Sequence, residues 1–158
     1  LFNLSENIKK DISIIETILV DDSIKIIMEL DDQISLYNYS NELSQVIINI
    51  LNNAREALIL NLSKEESRTI FINTKQSNDE ITIEICDNAG GIKEDVLLKV
   101  FEPYFTTKHK YQGTGLGLYM SHEIIVKSMK GKILVENKEF TFNEKRSTGA
   151  NFIIKLKS

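Results

Sequence analysis

Apolar positions in this chain follow two periods, and each switch between them marks an element. Ile8, Ile12, Ile15 and Leu19 recur at helical spacing behind Leu4-Ser5-Glu6, where Ser5 can cap free N–H groups and Glu6 suits the positive end of the helix dipole. Asp21-Asp22 closes that helix. Ile24, Ile26, Met28 and Leu30 then alternate with Lys25 and Glu29, predicting a half-buried strand up to Asp31-Asp32, with a short strand Ile34 to Tyr37 pairing beside it. Helical spacing returns in Leu43, Val46, Ile47, Ile50, Leu51, Ala54, Ala57 and Leu58, which predicts a long central helix from Asn41 to Leu60. Two strands follow, Thr69 to Thr74 and Ile81 to Asp87, joined by the polar turn Ser77-Asn78-Asp79. A helical stretch from Lys93 to Val100 leads into a loop that reaches Gln112. The next helix, Leu116 to Met129, ends at Lys130-Gly131, a glycine C-cap preceded by a lysine. Ile133 to Asn137 and Ala150 to Lys157 supply the last strands, linked by a charged loop from Lys138 to Ser147. Short turns between strand pairs imply antiparallel neighbours, so the expected fold is α+β: a two-layer sandwich with a mixed, mostly antiparallel sheet packed on about three helices.

At 158 residues the chain can bury a single core without disulfide or metal staples, and it is read as one domain over residues 1–158. A net charge of −4 argues against generic nucleic-acid binding and requires any polyanionic ligand to find local positive potential. The lone Cys86 forms no internal disulfide, and no apolar run approaches the length of a bilayer span. The start at Leu1-Phe2 leads to the expectation of a domain taken from a longer parent.

Glycine is placed rather than scattered. None of the seven lies in the first eighty-nine residues, and five form two clusters: Gly90-Gly91, just after the strand-end Asp87, and Gly113, Gly115 and Gly117, at the opening of an apolar helix. Both clusters read as backbone approaching a ligand closely, the second with N–H donors free to face phosphates. On the central helix Asn49 and Asn53 stand one turn apart, so two hard amide oxygens can face one spot, as a magnesium site with few protein ligands requires. Taken alone, that stripe reads first as a solvated helix face. Asp87 continues the parity of Ile81, Ile83 and Ile85, so its carboxylate points toward the apolar side and needs a partner there. An adenine amine would be one; N–H groups of the turn from Asn88 to Gly91 would be another. Because a helix terminus contributes only about 0.3–2 kcal/mol toward an anion, a metal and a cation are also needed, and Lys108, near Lys110, is the candidate cation beside the ordinary reading of a solvated loop lysine. Surface roles are expected of His109 and His122, and a structural role of Cys86.

In order, Asn49-Ile50-Leu51-Asn52-Asn53-Ala54, Asp87-Asn88-Ala89-Gly90-Gly91-Ile92, Phe101-Glu102-Pro103-Tyr104-Phe105-Thr106-Thr107-Lys108 and Gly113-Thr114-Gly115-Leu116-Gly117-Leu118 resemble the N, G1, F and G2 boxes of sensor histidine kinases. The resemblance spans nearly the whole chain and points to the catalytic ATP-binding domain of the GHKL superfamily, an α/β sandwich with a mobile lid. It implies ATP and Mg2+ as ligands, Asn53 as the metal ligand, Asn49 assisting at the phosphates and Asp87 on the adenine amine. Gly91 and Ile92 would shape the base pocket and Phe101 to Gln112 would form the lid, with Phe105, Thr106, Thr107 and Lys108 contributing to the nucleotide site. Gly113, Thr114, Gly115, Leu116, Gly117 and Leu118 would hold phosphates.

Related ATPases carry a glutamate where Asn49 stands. An amide is no general base, so water should attack poorly and the γ-phosphate should survive for another nucleophile. The resemblance makes that nucleophile a histidine on a separate helical dimerisation domain of the same parent, with a response regulator downstream; Asn49 and Lys108 would then be the catalytic residues. It further implies a cytoplasmic domain without membrane or nucleic-acid contacts, whether the parent is membrane-bound or soluble. The alternatives are a nucleotide-binding scaffold or degenerate kinase without transfer activity, and a serine kinase on a small protein antagonist. Two positions depart from the family pattern: Ala89 stands where glycine is frequent, and Glu56 replaces a lysine that would touch phosphate.

Overall fold

A computed structural model describes residues 1–107 and 115–158. Its elements are β1 (Phe2–Asn3), α1 (Leu4–Asp21), β2 (Ile24–Glu29), β3 (Ser35–Leu36), α2 (Ser40–Asn61), β4 (Arg68–Ser77), β5 (Glu80–Asp87), the short α3 (Glu94–Leu97), α4 (Gly117–Glu123) continued by a π-helical turn (Ile124–Ser128), β6 (Lys132–Phe142) and β7 (Lys145–Lys157). The five long strands form one mixed sheet in the order β2-β4-β5-β7-β6, in which only β2 and β4 run parallel, as befits two strands separated by the α2 crossover.

The apolar stripes close one core between the sheet and its helices. Ile8, Ile12, Ile15 and Leu19 of α1 and Leu43, Val46, Ile47, Ile50, Leu51 and Leu58 of α2 meet Ile70, Ile72, Ile81, Ile83, Ile85, Phe152, Ile154 and Leu156 from the sheet. The period of two along β5 places Ile81, Ile83 and Ile85 on the helix side. The same alternation carries Asp87 to that side, at the strand's end.

Several boundaries differ from the sequence reading. Asn3 caps α1, accepting from the Glu6 N–H at 2.9 Å, whereas Ser5 lies inside the helix, buried, with its hydroxyl donating to Asp32. The short strand at Ser35–Leu36 pairs with Phe2–Asn3 instead of with β2, whose partner is β4. Residues 138–147 are no loop: β6 and β7 form a long hairpin closed by Asn143-Glu144, both at positive φ, the twist that suits a two-residue turn. Phe140 and Phe142 stack edge-on against Phe71 at 5.3 and 5.0 Å and fasten that hairpin to the outer face of the sheet. The predicted helix from Lys93 to Val100 is confined to Glu94–Leu97. At the end of the π turn the left-handed residue is Lys130, φ 58°, and not Gly131; the glycine is needed because a Cβ there would lie 2.5 Å from the Lys155 carbonyl oxygen.

Candidate functional site

Asp87 is 4% exposed. Its Oδ1 accepts the Ala89 N–H at 2.9 Å and the Ala150 N–H at 3.3 Å, while Oδ2 accepts no hydrogen bond from the described residues. One oxygen thus orders the turn, as one of the two sequence readings has it, and the other meets no donor among the described residues. Burial raises its pKa above the usual carboxylate value, and the two backbone N–H groups offset only part of that. A buried carboxylate with one oxygen free is costly unless a donor meets it.

The loop after Asp87 is pinned on both sides. Asn88 accepts the Thr69 N–H at 2.9 Å and donates to the Ser67 carbonyl at 2.6 Å, and the Gly90 N–H donates to the Thr148 carbonyl at 2.8 Å. Gly90 and Gly91 take φ of 102° and 85°, conformations that disfavour side chains, so the freedom lost at Ala89 is supplied next door. Gly149 was missed by sequence reasoning: a Cβ on it would fall 1.5 Å from the Asp87 carbonyl oxygen, so β7 approaches the strand end as only glycine allows. The detectable signal was a lone glycine inside a strand pattern.

On α2, Asn53 donates its amide to the Asn49 carbonyl at 2.9 Å, and Asn49 donates to Ser121 Oγ at 3.2 Å and to the Gly117 carbonyl at 3.4 Å. A carbonyl can only accept, so each NH2 is committed to protein, and neither Oδ1 accepts a hydrogen bond from the described residues. Ser121, fully buried, donates to the Gly117 carbonyl at 2.9 Å and so orients Asn49; it too was absent from the sequence reading. The N box is therefore bonded directly to the last glycine of the second cluster, where α4 begins.

The glycines of that cluster have different reasons. Gly115, φ 71°, packs its backbone on that of Tyr104 and Phe105, where a Cβ would lie 2.4–2.6 Å from main-chain atoms, so its close approach is to protein. Gly117 has open space where a Cβ would be, at the first turn of α4. Phe105 and Thr106 are half-buried and Thr107 is exposed, while Leu118 and Ile92 pack against the core. Lys108, His109, Lys110, Gly113 and Thr114 lie outside the described residues.

His122 is not simply a surface residue: it is half-buried, its ring 5.3 Å from Phe101, which in turn meets Phe152 edge-on at 6.4 Å. The base of the F box is thereby seated on the helix side of the sheet. Cys86, buried on the opposite face from Asp87, has its thiol pushed up to about 12, first by burial and then by the neighbouring Asp87 charge, which suits its structural role. Among the described residues no cluster of three or more His, Cys, Asp or Glu could hold a metal ion, so a metal here depends on amide and ligand oxygens. An amide oxygen is a hard donor of the kind magnesium takes, so Asn53, with Asn49 one turn away, would suit such an ion if phosphate and water completed its shell.

Residues 38–158 match the family of histidine kinase-, DNA gyrase B- and HSP90-like ATPases. The chain belongs to that family. It is 37% identical over 119 residues to the two-component sensor PprA of Pseudomonas aeruginosa, covering 74% of this chain and 12% of that protein. It is 39% identical over 111 residues to sporulation kinase E of Bacillus subtilis, covering 70% and 14%. The nucleotide-free catalytic domain of the histidine kinase ThkA superposes with a TM-score of 0.81 at 29% identity, covering 99% of this chain and 93% of that one. The α+β fold and the reading as a histidine kinase's catalytic ATP-binding domain are both borne out. The chain spans about an eighth of the length of the curated relatives PprA and sporulation kinase E. Among the described residues no helix is long and apolar enough to cross a membrane.

Proposed function

We propose that this domain binds ATP with magnesium and passes the γ-phosphoryl group to a histidine on a separate helical dimerisation domain, from which a response regulator receives it. The observation that supports this reading most directly is Asn49, with its NH2 tied to Ser121 and Gly117 and an amide oxygen where hydrolytic relatives carry a glutamate. No carboxylate activates water at that point, so the γ-phosphate waits for a stronger nucleophile. The acceptor nitrogen then bonds to the γ-phosphorus as the bond to the bridging oxygen breaks and ADP leaves.

In this reading Asp87 Oδ2 accepts from the adenine 6-amino group, Ile92 and Gly91 line the base, and the region around Gly117 receives phosphate. Guanine presents a carbonyl at that place, so a carboxylate there selects ATP through hydrogen-bond mismatch. Asn53 Oδ1 is the metal ligand and Asn49 Oδ1 assists; bound magnesium supplies charge neutralisation and orientation at the phosphates. Lys108, Gly113 and Thr114 belong to the same proposal through the family pattern. A response regulator as partner is suggested by the histidine kinase ThkA, solved in complex with the response regulator TrrA; this chain matches that kinase at 26% identity and a TM-score of 0.74, covering 40% of the kinase chain.

The test mixes this chain with a separately prepared acceptor domain and γ-labelled ATP. Label should appear on the acceptor as an acid-labile phosphoramidate, with little phosphate released when the acceptor is omitted. Nucleotide binding without transfer would instead mark a scaffold, and an acid-stable product a hydroxyl kinase.

A further inference from the structure

Asn137, on β6, makes a two-point clamp that the sequence reading did not use. Its Oδ1 accepts the Ile92 N–H at 2.7 Å and its Nδ2 donates to the Ile92 carbonyl at 2.6 Å. One side chain thus holds both polar groups of a single residue, forty-five positions away, at the point where the G1 loop leaves its glycines. Asn137 pairs across the sheet with Ala150, the residue whose N–H reaches Asp87 Oδ1. Asp87, Ala150 and Asn137 therefore form one cross-strand row on the helix side of the sheet. The fit is close: a Cβ on Gly91 would lie 2.8 Å from Asn137 Oδ1 and 3.2 Å from a Thr148 methyl. The Gly91 conformation, the Ile92 peptide and the Asn137 amide are interlocked.

We infer that Asn137 is a positioning residue for nucleotide recognition, fixing Ile92 and Gly91 against the base from the edge strand of the sheet. This rests on the reading of Asp87 as the adenine acceptor. The physical reason is preorganisation: a loop with two consecutive residues at positive φ has many alternatives when released, and ordering it on binding subtracts from affinity. The clamp acts at the base end only, since it touches neither Asn49 nor Asn53. Its loss should weaken a nucleoside and a magnesium-bound triphosphate by the same factor.

The test measures binding of adenosine without metal, and of ATP with magnesium, to the chain and to Asn137→Ala, Asn137→Asp, Lys138→Ala and Asp87→Asn. Loss of two hydrogen bonds predicts about five- to twentyfold weaker binding for Asn137→Ala, equal for both ligands. Asn137→Asp, of nearly the same shape, keeps an acceptor for the Ile92 N–H but sets a carboxylate oxygen against the Ile92 carbonyl, and should lose at least as much. Lys138, which pairs with Glu84 on the outer face, serves as the control and should bind as wild type. Wild-type affinity in Asn137→Asp, or a loss confined to the magnesium complex, would overturn the inference while leaving Asp87 in place. Unchanged binding in Asp87→Asn would overturn the base-end reading and this inference together.

Discussion

The two ends of the proposed nucleotide site are built from different materials. At the base end Asp87 is embedded in a sheet, with Ala89, Gly149, Ala150 and Asn137 gathered from β6, β7 and the following turn, and most of the contacts are main-chain. At the phosphate end Asn49, whose carbonyl accepts from the Asn53 amide, meets a short helix through Ser121 and the Gly117 carbonyl. β5 and β7 are each paired on both sides and cannot shift singly, whereas a helix start held by a few side-chain hydrogen bonds can adjust. The base end is thus suited to recognition by fixed shape, and the phosphate end to a metal and phosphates whose charge changes as the reaction proceeds.

The largest effect expected from this contrast is at Gly149. Gly149→Ala sets a methyl against the Asp87 backbone and should cost at least about 3 kcal/mol of fold stability, read by chemical denaturation. Stability close to wild type would mean that the strand end yields, contrary to the comparison. Next comes Asn53→Ala, which should abolish the magnesium dependence of ATP binding while leaving adenosine affinity unchanged; a variant that still responds to magnesium removes Asn53 from the metal's ligands. The smallest change is Ser121→Ala, which frees the Asn49 amide from one partner. It should cost about 0.5–1.5 kcal/mol in transfer, seen mainly in kcat rather than KM, because the lost group orients a residue at the reacting phosphate. An effect on KM alone would place Ser121 in ground-state binding.

The legibility of the two ends in the sequence follows the same division. α2 declared itself through one local period, and the side on which Asp87 lies through strand parity, since both signals need only neighbours in sequence, whereas the asparagines taken alone read as a solvated face. Asn137, Gly149 and Ser121 gain their roles from partners forty-five, sixty-two and seventy-two residues away, beyond any window of periodicity. The hairpin over residues 138–147 was misread because its exposed Lys, Glu and Arg resemble a loop; the two-residue alternation of Phe140 and Phe142 was the available clue. The Ser35–Leu36 strand is too short to show alternation, and only its register with Phe2–Asn3 reveals it. The π turn at Ile124–Ser128 has an apolar pattern that an α-helix would equally produce, and the Met129 N–H reaching Ile124 at 2.9 Å distinguishes them.

The central claim, that a buried carboxylate grips the base, is tested most directly by ATP affinity against pH in wild type and Asp87→Asn. Burial raises the free-state pKa of Asp87, and a donated adenine amine favours its charged form, so wild-type affinity should rise as pH increases through that raised pKa and then level off. On the plateau Asp87→Asn should bind about 1–3 kcal/mol more weakly, with the fold retained and this phase of the profile missing. Equal affinity in the two proteins at neutral pH, with matching profiles, would contradict the account.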